Sequence, residues 1–224
     1  MLMVTRIKNT KPTMGDDVAT VRPRGRPQIR TDDEILAAAL EAFASLGFEA
    51  TSIRNLNKDL GLSHEAVRQR FGSKDQLYWA AVDHAIAKFH EELATEATAK
   101  GGDLEALRES FRAFIVTTRR HQNLGRLLVS ESLYRSERMD ELFARVLEPG
   151  LVRTKALLDR LVEAGAIWPI SLREYFFLAE GAAAPFARVA LSEAFDPVVG
   201  PLDPETYVAT VVDILMRGIT RPAV

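Results

Sequence analysis

The sequence predicts an all-α fold in two parts: an N-terminal three-helix unit containing a helix-turn-helix, joined by one long helix to a larger C-terminal helical domain. Three observations predict it. Apolar residues recur at three- and four-residue spacing through most of the 224 residues, and no stretch alternates as a strand would. Helix-start signatures stand at Thr31 to Glu34, Ser73 to Gln76 and Asp203 to Glu205. Between the first two lies a tight bend, Leu60-Gly61-Leu62-Ser63, with a short amphipathic stretch on each side.

Residues 1–30 have little apolar periodicity and several Pro, Gly, Thr and Lys residues, which predicts a flexible basic arm. Within it, Arg24-Gly25-Arg26-Pro27 resembles an AT-hook core, in which an extended backbone lays two arginines in the minor groove of A·T-rich DNA. A merely basic linker is the competing reading of those four residues.

Residues 31–78 form the three-helix unit. Thr31 and Glu34 make a capping box, and the first helix follows with Ile35, Leu36, Ala39, Leu40, Phe43 and Leu46 at helical spacing until Gly47 closes it. Thr51 or Ser52 caps a second helix with Ile53, Leu56 and Leu60 inward. Gly61 supplies the positive φ the bend favours, and Ser63 caps a third helix running to about Phe71. Burying Val67 and Phe71 leaves His64, Glu65, Arg68 and Gln69 outward, where they can meet base edges, while Arg68, Arg70 or Lys74 can meet phosphates. An ordinary helical hairpin with a solvated charged face is the alternative.

Residues 79–224 make the second domain. The Ser73–Gln76 cap opens a long fourth helix with Leu77, Ala81, Val82, Ile86, Phe89 and Leu93 on one face, ending near Gly101-Gly102. Helices then follow at roughly 103–120, 122–134, 137–164, 172–194 and 204–219, with Pro149 and Pro185 expected to bend or split theirs. Asp203-Pro204-Glu205 places a cap and a first-turn proline on the last.

Charge is distributed unevenly. The formal net charge is −2, yet residues 1–31 hold seven bases against two acids, whereas residues 79–224 hold 17 bases and 21 acids. Phosphate would be attracted to the N-terminal third and repelled by the rest. The absence of cysteine excludes disulfides and thiolate metal sites. The first residues lack the apolar core of a signal peptide and no segment runs long enough without charge to span a membrane, so a soluble, cytoplasmic protein without membrane partners is expected.

The interior phenylalanine and closing Gly-Phe of helix one, then Ala-Thr-Ser-Ile-Arg, the Gly-Leu-Ser turn and Phe-Gly-Ser-Lys with Asp-Gln-Leu occur in order over about residues 32–80. This pattern resembles the TetR family of transcription regulators. The resemblance implies a homodimer on a palindromic DNA operator, with a C-terminal domain that dimerises and binds a small-molecule effector of unknown identity; repression is the usual outcome. It also implies phosphate contacts from Thr51, Ser52 and Lys74, and a groove-facing set of His64, Glu65, Arg68 and Gln69, of which Arg68 and Gln69 are expected to read bases. Arg70 either meets DNA or pairs with a neighbouring acid. Two departures stand out: Arg68 and Arg70 occupy positions where the family often carries aromatics, and Asn57 replaces a small alanine against the recognition helix.

One recognition helix reads only a few base pairs, so specificity requires two, about 34–36 Å apart. Gly181 to Ala184 permit close helix approach, and Val208, Val211, Val212, Leu215 and Ile219 form an apolar stripe, which makes the last two long helices the candidate dimer interface; packing within one subunit is the alternative. Phe111, Phe114, Tyr134, Phe176 and Phe177, with Glu131 or Glu180 as polar contacts, are the candidate effector pocket. No cofactor or metal is implied. An architectural DNA binder without a ligand is one competing function. A helical enzyme is the other, but the four histidines lack metalloprotease spacing and there is no phosphate loop or nucleophile elbow.

Overall fold

The computed structural model describes residues 30–97 and 101–222. Helices dominate: α1 (Asp32–Ala50), α2 (Ile53–Asp59), α3 (Ala66–Phe71), α4 (Lys74–Glu96), α5 (Asp103–Arg120), α6 (Gln122–Glu131), α7 (Glu137–Leu142), a π-helical turn (Phe143–Leu147), α8 (Glu148–Glu163), α9 (Leu172–Ala187), α10 (Val189–Glu193), α11 (Asp196–Val199) and α12 (Pro204–Ile219). Local chemistry sets several boundaries. Thr31, Ser73 and Ser171 each accept from the N–H three residues on while the Glu or Gln there reaches back, giving capping boxes on α1, α4 and α9. Asp203 accepts from the Thr206 N–H ahead of Pro204.

The outline read from the sequence stands, with local corrections. Gly47, at φ 79°, kinks α1, after which one more helical stretch runs to Ala50. Leu46, expected inward, is 62% exposed, because it lies on the outer side just before that kink. The pattern over 137–164 is interrupted by the π-helical turn directly before Pro149, whose missing N–H disturbs the regular ladder. The pattern over 172–194 breaks at Arg188, one turn beyond Pro185. An isolated antiparallel bridge, Ile167 with Thr220, ties the end of α12 to the α8–α9 loop, and the Arg221 guanidinium lies 4.6 Å from the Trp168 ring centroid.

Two apolar clusters hold these elements. The second gathers Phe111, Ile115, Leu158, Phe186, Val212 and Met216 from α5, α8, α9 and α12. The first is centred on Ile35, Phe43, Val67, Leu77 and Val82, and it also takes in Leu124 and Leu127 of α6, Leu142 of α7 and Val146 of the π turn. The division expected at residues 78/79 therefore does not divide the packing. Polar contacts reinforce that seam: the Arg138 guanidinium sits 3.7 Å from the Phe48 ring centroid, Arg145 pairs with Asp83 at 3.1 Å, and the Tyr78 hydroxyl donates to Glu131.

Candidate nucleic-acid interface

The helix-turn-helix is assembled around Asn57. Gly61 turns the chain at φ 68°, which lets the Leu62 N–H fold back 2.8 Å from the Asn57 carbonyl. The Asn57 side chain, with no exposure, then does two things: Nδ2 donates to the His64 carbonyl at 2.8 Å, and Oδ1 accepts the Val67 N–H at 3.1 Å. One of the free amides at the start of α3 is thus satisfied from α2. This corrects the expectation for Ser63. The helix begins at Ala66, not Ser63; Ser63 accepts only through its carbonyl, from the Ala66 N–H, and Glu65 holds the cap position without a side-chain bond.

Val67 is fully buried on one side of α3, while Arg68 and Gln69 of the helix and His64 and Glu65 just ahead of it are exposed. Their side chains have no hydrogen-bond or ion-pair partner among the described residues, which leaves two ring nitrogens, a guanidinium fork and an amide available to an outside partner.

Other candidate contacts are already committed. Arg70 donates to the Arg30 carbonyl at 2.7 Å and pairs with Asp32 at 3.4 Å, so it ties α3 to the start of α1. Lys74 donates to the Glu49 carbonyl at 2.9 Å, and its ammonium lies 4.6 Å from the Phe48 ring centroid. Thr51 is buried because the Gly47 kink leaves carbonyls for its hydroxyl, which donates to Gly47 at 2.7 Å and Ala42 at 3.3 Å; it has no hydroxyl proton left for a phosphate. Ser52 stands in the cap position of α2 without a cap bond, half-buried. Nothing in the spacing singles out Arg54, yet it is exposed near the start of α2 with no ion-pair partner among the described residues. Arg24 and Arg26 lie outside the described residues.

The aromatics expected to line an effector pocket are not brought together. Phe111 is buried in the core, and Phe114 and Phe176 are half-buried. Tyr134 is 81% exposed, because α6 stops at Glu131, and Phe177 is 61% exposed on α9. Glu131 serves the Tyr78 hydroxyl and Arg138, and Glu180 pairs with Arg188. Of the dimer candidates, Val208 and Val212 turn into their own core alongside Met216 and Ile219, which corrects their assignment. Val211, Leu215 and Ala184 are half-buried, and Gly181 is exposed. Among the described residues no acid, histidine and cysteine group could hold a metal, and no helix is long and apolar enough to cross a membrane.

Residues 35–81 match the family model described as bacterial regulatory proteins, tetR family. The helix-turn-helix transcriptional repressor Rv3405c of Mycobacterium tuberculosis is 40% identical over 77 residues, which are 34% of this chain and 40% of that protein. The matched segment thus spans about two fifths of the length of the curated relatives it resembles. Solved structures give the likeness of the whole fold. A tetR-family regulatory protein from Rhodococcus RHA1 aligns with a TM-score of 0.63 at 18% identity, covering 87% of this chain and 100% of that one. AibR, solved with isovaleryl coenzyme A and operator DNA, aligns at 0.66 and 18% identity, covering 81% and 95%. The family and these relatives are regulators and not enzymes. The helix-turn-helix built on Asn57 and Val67 falls inside the matched span, so residues 35–81 carry the helix-turn-helix of the tetR family of bacterial regulatory proteins.

Proposed function

We propose that the protein is a ligand-responsive transcription regulator, acting as a repressor, that binds a two-fold-symmetric operator in double-stranded DNA as a homodimer and is released by a small-molecule effector. One observation carries the reading: Arg68 and Gln69 on α3, and His64 in the turn just ahead of it, stand exposed and uncommitted, while the opposite face of the helix is locked by Val67 and Asn57. A rigid helix with free forked donors on one face suits base edges in the major groove. Arg54 and Ser52 on α2 suit the flanking phosphates.

The second copy would pack on α9 and α12, through the outward faces the core leaves free: Phe177 at 61% exposure, Leu178 at 50% and Ile214 at 65%, with Gly181 and Gly218 uncovered between them. Small residues there allow two helix pairs to approach closely. An effector that favours one tilt of α4 would change the separation of the two α3 helices and hence operator affinity. The AibR structure, which holds both a small molecule and operator DNA on this fold, is consistent with such coupling.

Selection of bound sequences from random DNA by the purified protein tests the reading. An inverted repeat with half-sites about one helical turn apart, or a multiple of that, is expected. A plain A·T preference without symmetry would instead make the protein an architectural binder.

A further inference from the structure

The end of α4 is held by two arginines of α5. Arg112 donates to the Glu96 carbonyl at 2.8 Å and reaches its carboxylate at 3.4 Å, while Arg120 meets the same carboxylate at 2.7 Å. Glu96 is thus a carboxylate lodged in a two-guanidinium site, and the Arg120 hydrogen bond, with Arg112 adding to it, holds its carboxyl below the usual carboxylate range. Space opens on both sides of this contact. A groove of about 820 Å³ between α5 and α12 is walled by Glu96, Arg112 and Arg120, and a second concavity of about 470 Å³ shares Glu96 and Arg120 from the α4 side. The larger one lies within the roughly 300–1,000 Å³ typical of small-ligand sites.

The lining of that groove is divided by chemistry. Val116, Val208 and Val212 give it an apolar floor, whereas Arg112, Arg119 and Arg120 stand on one face of α5, with Glu109 and Glu205 also in the wall. Arg119 also lines the groove and has no ion-pair partner among the described residues. Arg108 is taken by Asp213 at 3.3 Å. An apolar floor ending at guanidinium groups, Arg119 in no ion pair among the described residues and Arg112 and Arg120 gripping Glu96 beside Glu109 and Glu92, matches a molecule with a hydrocarbon body and a carboxylate head.

We propose that the α5–α12 groove binds an amphiphilic organic carboxylate, whose head displaces the Glu96 carboxylate from Arg112 and Arg120 and so loosens the end of α4. The proposal rests on the regulator reading for its consequence and on the groove alone for its binding. Once the Glu96 carboxylate is displaced, the end of α4 keeps its main-chain bond to Arg112 and the pairing of Glu92 with Arg120 and His121, but loses its terminal ion pair, while its packing on α1 stays, where Lys88 meets Asp33 at 3.3 Å. The helix that links effector domain and DNA reader then changes tilt.

Calorimetry on the full-length protein with decanoate and its neutral counterpart decanol tests this, with Arg119→Gln and Glu96→Gln variants. Decanoate should bind at least about tenfold more tightly than decanol, and Arg119→Gln should weaken decanoate by about tenfold. Glu96→Gln removes the internal competitor and should strengthen decanoate several-fold, a gain that a damaged fold would not produce. Equal binding of decanoate and decanol, or unchanged decanoate affinity in Glu96→Gln, would overturn the proposal. On the selected operator, decanoate should weaken wild-type binding, and Glu96→Gln should be weakened without it. Absence of a symmetric operator would sink the regulator reading while the calorimetry still decided the groove; operator binding with no decanoate heat would sink the groove alone.

Discussion

The side-chain amide of Asn57 spans the helix-turn-helix, donating to the His64 carbonyl at 2.8 Å and accepting the Val67 N–H at 3.1 Å. Both partners are main-chain groups at the entrance to α3, so the orientation of the exposed row depends on one buried side chain. Asn57→Ala should cost about 2 kcal/mol of stability, since it leaves a buried N–H and carbonyl unpaired. It should weaken binding to the selected operator more than binding to random DNA. Urea unfolding and parallel titrations check both; an unchanged ratio of the two affinities would restrict Asn57 to a purely structural role.

Arg70 is a tether. Its bonds to the Arg30 carbonyl and Asp32 are largely exposed, and such contacts contribute about 0–1 kcal/mol. Arg70→Ala should lower stability by no more than that and change affinity for all DNA sequences alike. A base-specific loss would show that Arg70 leaves α1 when DNA binds.

Arg138 on α7 bridges the seam between the DNA-reading unit and the rest of the chain, against the Phe48 ring and near Glu131. Arg138→Ala should destabilise the protein by about 1 kcal/mol. Hydrogen exchange should accelerate in α1 and α7 together. Acceleration in α7 alone would mean that the seam is held by its apolar contacts.

The face of α9 and α12 that carries Phe177 and Ile214 should be covered in the working protein. The double change Phe177→Glu and Ile214→Glu should yield monomers by ultracentrifugation and cost about 100-fold in affinity for a full operator, because the second half-site is then bound independently. Affinity for a half-site should survive. A dimer that persists would place the interface elsewhere.

His90 on α4 is half-buried, and burial, with Arg153 acting in the same direction, pushes its pKa below the ordinary histidine value. A depressed folded-state pKa means that the unfolded chain takes the proton more readily. The contribution of His90 is therefore present above the ordinary histidine pKa and is lost as pH falls through the folded value. Melting temperature should fall with acidification in that window, and His90→Gln should flatten the fall. Identical slopes in the two proteins would contradict this.

The N-terminal unit was legible because its signals are local. Thr31 with Glu34, Gly61, and Ser73 with Gln76 determine caps and turns within four residues of chain, and all appear in the structure. Residues whose roles depend on distant neighbours were not legible. Asn57 read only as a replacement for a small alanine because its partners, seven and ten residues on, are backbone groups that no side-chain pattern reveals. Arg70 finds its partners 38 and 40 residues away. In α12 the apolar residues Val208, Val211, Val212, Ile214 and Leu215 lie on more than one side, so periodicity locates the helix but not which of Val208, Val212 and Ile214 turns inward. The effector aromatics were scattered for the same reason.

The central claim is that the exposed face of α3 reads bases, and repeating the selection from random DNA with Arg68→Ala tests it most directly. The account predicts an inverted repeat in which preference relaxes at one position in each half-site, symmetrically, with a loss of roughly 1–3 kcal/mol on the wild-type site. The same preferred sequence at every position, or affinity lost equally on all DNA, would contradict it.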